Sequence, residues 1–99
     1  MKHGIYYSYW EHEWSAKFGP YVEKVAKLGF DVIEVAAHHI NDYSDAELAT
    51  IKQSARDNGI ILTAGIGPSK SKNLSSPDKA VREAGKAFFE KTLSNVAKL

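Results

Sequence analysis

Residues 32–37 read Val-Ile-Glu-Val-Ala-Ala, a compact apolar run with a single carboxylate in its middle. A short run of this kind, rich in β-branched side chains, predicts a buried strand of a parallel sheet rather than a surface strand. Side chains alternate across a strand, so Ile33 and Val35 share one face while Val32, Glu34 and Ala36 share the other. Glu34 decides the architecture. A sheet covered by helices on both sides should be apolar on both, and a face carrying a carboxylate is not.

Two more strands flank this one in the sequence. Residues 4–9 (GIYYSY) are short and aromatic, and residues 60–64 (IILTA) are apolar and β-branched. Their parity repeats that of the central run. Ile5, Tyr7, Ile60, Leu62 and Ala64 join Ile33 and Val35 on a face suited to helices. Tyr6, Ser8, Thr63 and Gly65 join Glu34 on the opposite face, accompanied by Val32, Ala36 and Ile61.

Each strand is followed by a helical pattern. Pro20 fits a first helical turn, Val22, Val25 and Ala26 make an apolar stripe, and Gly29 suits the left-handed residue that ends a helix. Ser44-Asp45-Ala46-Glu47 has the form of a capping box, with Leu48, Ile51 and Ala55 on one face and Asn58-Gly59 as the stop. Ser76-Pro77-Asp78 predicts the start of a third helix, whose stripe is Val81, Ala84, Phe88, Leu93 and Val96.

Strands alternating with helices imply parallel strands joined by right-handed crossovers. A doubly wound open sheet and a barrel both satisfy that rule, and the polar face favours a barrel interior. The fold class expected is therefore α/β, the first three β/α units of a (β/α)8 TIM barrel. No stop signal precedes Leu99 and no fourth strand follows. Because such barrels typically need ~250 residues, residues 1–99 are expected to be the N-terminal portion of one truncated barrel domain.

Lys plus Arg number 13 and Asp plus Glu 12, a net charge of +1, which argues against recruitment of nucleic acid or membrane by bulk charge. Lys70, Lys72 and Lys79 are spaced by small polar residues and read as a solvated loop. There is no cysteine, so disulfide and thiolate chemistry are absent. The start lacks an apolar signal region and no window approaches the ~18 apolar residues of a membrane helix, so a cytoplasmic location is expected.

In a barrel, chemistry gathers at the C-terminal ends of the strands. Residues 8–14 (SYWEHEW) combine rings that suit sugar C–H groups with acids and a histidine that suit hydroxyls. The competing reading is a loop pinned by buried aromatics. His38-His39 invites a metal hypothesis, but neighbours on an extended chain point apart and no H-x-x-x-H spacing supports them. Residues 65–73 (GIGPSKSKN) match no phosphate-binding motif; Gly65 and Gly67 instead allow close backbone approach. Glu34 reads as a structural acid of a polar barrel layer more readily than as a base.

Three stretches carry a resemblance: M-K-H-G-I-Y-Y-S-Y-W, G-F-D-V-I-E-V-A-A-H-H-I and I-I-L-T-A-G-I-G-P-S-K. Together they resemble the N-terminal third of the D-psicose (D-allulose) 3-epimerase / D-tagatose 3-epimerase family, while G-F-D-x-I-E also suits the wider sugar isomerase-like barrels. The resemblance implies a homo-oligomeric (β/α)8 isomerase that uses a divalent metal, Mn or Co. Its substrates would be ketohexoses such as D-psicose, D-fructose and D-tagatose, epimerised at C3 through a cis-enediolate by two glutamates. It implies substrate contacts at Tyr6, Trp14, Gly65 and Ile66. It places no metal ligand and no catalytic glutamate among these residues, so Glu11, Glu13 and Glu34 are not promoted to that role. An inactive barrel fragment with an assembly role, or a small sugar-binding module, are the alternative readings.

Overall fold

The computed structural model describes residues 1–13 and 17–99. Strands β1 (Gly4–Tyr6), β2 (Val32–Ala36) and β3 (Ile61–Gly65) form a parallel sheet in the order β1-β2-β3. Helices α1 (Tyr21–Lys27), α2 (Ala37–Ile40), α3 (Asp45–Asn58) and α4 (Lys79–Val96) fill the connections, with short 3-10 turns at Tyr7–Trp10 and Lys70–Lys72. No described helix is long and apolar enough to cross a membrane.

The register bears out the parity. Ile5 aligns with Ile33 and Ile33 with Leu62, while Tyr6 aligns with Glu34 and Glu34 with Thr63. Ile33 and Val35 are fully buried under the helices, in one cluster with Phe18, Val22, Val25, Leu48 and Ile51. On the opposite face Glu34 and Thr63 are exposed, and Ile61 is 40% exposed.

The first strand is shorter than its aromatic run suggests. Pairing with β2 stops at Tyr6, and the chain then winds into the 3-10 turn that carries Tyr7 into the core at 0% exposure. Tyr7 meets Phe18 edge-on there, with ring centroids 6.3 Å apart. Burying a large ring outweighs continuing a ladder at a strand end. Ser8 accordingly leaves the inner face. β2 likewise ends one residue early, at Ala36, and α2 follows at once. β3 is shifted by one residue, because the Ile60 amide donates to Ala55 O (2.8 Å) in the turn that closes α3.

The helix ends follow their chemistry. α1 starts at Tyr21, directly after Pro20, and Gly29 (φ 84°) and Gly59 (φ 65°) take the left-handed conformations that end α1 and α3. At the start of α3, Ser44 Oγ accepts from the Glu47 amide (3.2 Å) and the Ser44 amide donates to Glu47 Oε2 (2.7 Å), completing the capping box.

Helix α4 departs most from its sequence pattern. It starts at Lys79, capped by Asp78, whose Oδ1 accepts from the Ala80 amide at 2.8 Å, so Pro77 lies outside it. Leu93 is 64% exposed and Ala84 faces solvent, whereas Gly85 and Thr92 are the buried positions. Thr92 Oγ1 donates to Phe88 O (2.8 Å) and accepts from Asn41 Nδ2 (2.8 Å), and Asn95 Nδ2 donates to Asn41 Oδ1 (2.8 Å). This polar seam fastens α4 beside the end of α2. Gly85 completes the fit: a Cβ there would lie 2.5 Å from Lys72 O and 3.0 Å from Leu74 Cδ2.

Two outcomes follow. Gly85→Ala should destabilise the fold by about 1–3 kcal/mol, the usual cost of overpacking, whereas the exposed neighbour change Glu83→Ala should fall within about 0.5 kcal/mol. Denaturant unfolding followed by circular dichroism measures both. The second outcome concerns Glu47, which also accepts from Lys17 Nζ at 2.6 Å. The bond to Lys17, then those to Ser44, lower its carboxyl from 4.5 to about 2. A depressed carboxyl stabilises the fold above its ordinary value and loses that contribution as pH falls through about 2. Thermal melts should therefore show Glu47→Gln less stable than the parent at pH 5, with the gap closing towards pH 2.

Candidate functional site

The C-terminal ends of the three strands enclose a hollow. Tyr6 closes β1, Gly65 closes β3, and Glu34 and Ala36 contribute from β2 between them. With His38, Ile66 and Gly67 they line an open concavity of about 440 Å³, within the ordinary range for small-molecule sites. Three residues expected to contact substrate, Tyr6, Gly65 and Ile66, thus meet in one wall. The fourth, Trp14, lies outside the described residues.

Tyr6 is partly buried, and its phenol titrates above 10, raised first by burial and then by the negative charge of Glu34. At neutral pH it is a hydroxyl able to donate or accept. Gly65 lies close to the carboxylate of Glu34: a Cβ there would stand 2.9 Å from Glu34 Oε1, the movable end of that side chain. Glu34 aligns with Thr63, yet its carboxylate rests against Gly65, which aligns with Ala36. The side chain has therefore climbed along the sheet towards the open end. Among the described residues no hydrogen bond or ion pair reaches it.

A second hollow of about 500 Å³ adjoins the first, sharing His38 and Gly67 and adding His39, Asn41, Asp42, Ser69, Lys72, Phe88 and Lys91. Here the expectation of an extended His pair is corrected. Both residues sit in α2, where a helical turn packs the rings with centroids 4.0 Å apart. His39 Nδ1 is 3.5 Å from Asp42 Oδ2, and its Nε2 is buried with no hydrogen-bond partner among the described residues. His38 is held below its ordinary value of 6.5, first by burial and then by His39, against an opposing effect of Asp42, with Lys72 the smallest contributor. Among the described residues no group of three or more His, Cys, Asp or Glu could hold a metal ion.

The aromatic loop divides. Tyr7 enters the core and Tyr9 is 76% exposed. Trp10 stacks on Tyr21 of α1 (5.5 Å, 20°), with Lys24 Nζ 4.4 Å above its ring. Neither Tyr9 nor Trp10 lines the concavity, and of the two the pinned-loop reading describes Trp10. Glu11 is partly buried, and His12 and Glu13 are exposed. A larger hollow, about 550 Å³, lies between α1 and α3 around Glu23, Tyr43 and Thr50. It opens between the first turns of α1 and α3 and shares no residue with the concavity.

Ala36 and His38 are wall residues that the sequence did not mark. Ala36 was readable from inner-face parity. His38 was not, because its direction depends on the helical turn that begins at Ala37.

Residues 22–99 match the family model described as the xylose isomerase-like TIM barrel. The chain is 89% identical over 99 residues to D-psicose 3-epimerase of Agrobacterium fabrum, covering 100% of this chain and 34% of that protein. It is 54% identical over 99 residues to D-psicose 3-epimerase of Ruminiclostridium cellulolyticum, again 100% of this chain and 34% of the relative. A crystal structure of D-psicose 3-epimerase in the presence of D-fructose matches with a TM-score of 0.96 at 89% identity, over 99% of this chain and 34% of that one. The chain thus spans about a third of the length of these relatives. Sequence match and backbone agree: this chain belongs to the xylose isomerase-like TIM barrel family.

Proposed function

We propose that a complete barrel built on these residues is a ketose 3-epimerase interconverting D-fructose and D-psicose, with this segment as one wall of the sugar site. The 89% identity to a D-psicose 3-epimerase over all 99 residues carries the reading. The gathering of Tyr6, Gly65 and Ile66 around one concavity supports it.

In this reaction the C3 proton of the ketose, acidified by the neighbouring C2 carbonyl, leaves to a base and gives a cis-enediolate. A proton returned to the opposite face of C3 inverts that centre, and no atom is gained or lost. The chain described here orients the sugar. Tyr6 and Ile66 offer apolar surface to C–H groups, the Tyr6 hydroxyl offers a polar contact, and Gly65 lets the backbone come close. Trp14, which the family resemblance also assigns to the substrate, adds a second aromatic wall in this reading. The acid and base come from outside these residues.

A divalent ion, Mn or Co, would supply Lewis-acid stabilisation of developing negative charge. The described residues do not fit such an ion. His38, His39 and Asp42 are the nearest approach to a donor cluster, and they form no candidate metal site. Its ligands therefore belong to other parts of the barrel.

Joining these 99 residues to the remaining two thirds of the Agrobacterium relative gives a full-length barrel for testing. With D-fructose and manganese this chimaera should form D-psicose, detected by chromatography, and the 99 residues alone should not exceed a metal-only blank. An inert chimaera beside an active parent overturns the proposal. In the active barrel, Tyr6→Ala and Trp14→Ala should each raise KM about tenfold, the scale of burying one aromatic side chain, with a smaller effect on kcat. A fall in kcat at unchanged KM would instead place the residue in the proton transfers.

A further inference from the structure

We propose that Glu34 is a substrate-binding residue whose carboxylate accepts hydrogen bonds from hydroxyl groups of the ketose chain and so selects which hydroxyl pattern the site takes. The inference rests on the epimerase reading above and adds a residue that it does not use.

Position is the first support. Glu34 lies on the inner face beside Tyr6, its partner in register, and both line the concavity. Its carboxylate does not stay level with its own backbone. It rises against Gly65, one side-chain layer nearer the mouth than Thr63, its register partner on β3. A methyl at Gly65 would meet Oε1 at 2.9 Å, which places the carboxylate beside the end of β3.

Chemistry is the second support. An ionised carboxylate is an acceptor only, with two oxygens that suit vicinal hydroxyls. Among the described residues the wall around it is built from Tyr6, Ala36, His38, Gly65, Ile66 and Gly67, with no lysine or arginine. Among the described residues it has no hydrogen bond or ion pair. Closing a barrel over an unpaired carboxylate is costly unless partners arrive. Sugar hydroxyls entering the same concavity are partners of the right kind.

The test uses the full-length chimaera, with D-fructose and its 4-, 5- and 6-deoxy analogues as probes. Glu34→Gln keeps the shape and removes the charge. It should raise KM for D-fructose about tenfold or more while kcat stays within about threefold. Sites built to bond a hydroxyl reject analogues that lack it. The parent should therefore discriminate strongly against one deoxy-ketose, and Glu34→Gln should lose that discrimination. Glu34→Asp, which keeps the charge on a shorter arm, should fall between the two and serves if the glutamine variant does not fold.

Three results would overturn the proposal. An unchanged KM with a lowered melting temperature would make Glu34 a structural ion-pair partner of the remaining barrel. A collapse of kcat at constant KM would make it part of the proton transfers. Equal discrimination among the deoxy-ketoses in parent and variant would mean that no hydroxyl is read. If the parent chimaera binds ketoses by calorimetry without epimerising them, the activity reading fails alone, and the calorimetric effect of Glu34→Gln still decides the role of Glu34.

Discussion

Strand β2 is hydrogen-bonded on both sides, to β1 and to β3, and each of its faces has a different neighbour. Ile33 and Val35 must lie beneath the helices, while Glu34 must lie opposite them. Because the side-chain period is two, a slip of one residue would drive the carboxylate into the apolar cluster and turn two branched chains out of it. That penalty fixes the register of all three strands at once. The layers that position Tyr6 and Gly65 follow from it without further instruction.

The parts of the molecule that were legible in sequence are those governed by local rules or strict periodicity. Ser44 and Glu47 find each other because three residues separate them, and Gly59 ends α3 because it alone is cheap at positive φ. The inner and outer faces were equally readable, since Glu34 interrupts an otherwise apolar run. Where the reading failed, a distant partner decided. Tyr7 leaves the strand because Phe18 and the core receive its ring. The face of α4 is chosen by Asn41 and by the carbonyl of Lys72, so a threonine and a glycine are buried while Leu93 faces water. No hydrophobic periodicity could report that choice.

The candidate site shows the same division. Strand parity put Tyr6 and Gly65 on the inner face, while their part in substrate contact came from the family resemblance. His38 was not recoverable, since its direction is set by the turn at α2 rather than by alternation. In the aromatic loop composition gathers rings but does not say where each goes: Tyr9 is exposed and Trp10 stacks on a helix. Trp10 was captured by Tyr21 and Lys24, a pairing across ten or more residues of chain.

The seam of Asn41, Thr92 and Asn95 has a directionality that apolar packing lacks. Thr92 spends its only proton on Phe88 O, so its oxygen can only receive from Asn41. That fixes which end of the Asn41 amide meets Thr92, and the other end must then accept from Asn95, one turn further along the same helix. Each group thus dictates the polarity of the next, as in a keyed joint that closes in one orientation. A greasy contact at the same place would tolerate sliding and rotation of the helix. This joint holds the rim beside His38 to a single angular setting, leaving the residues that face the hollow free to diversify without loosening the frame that aims them.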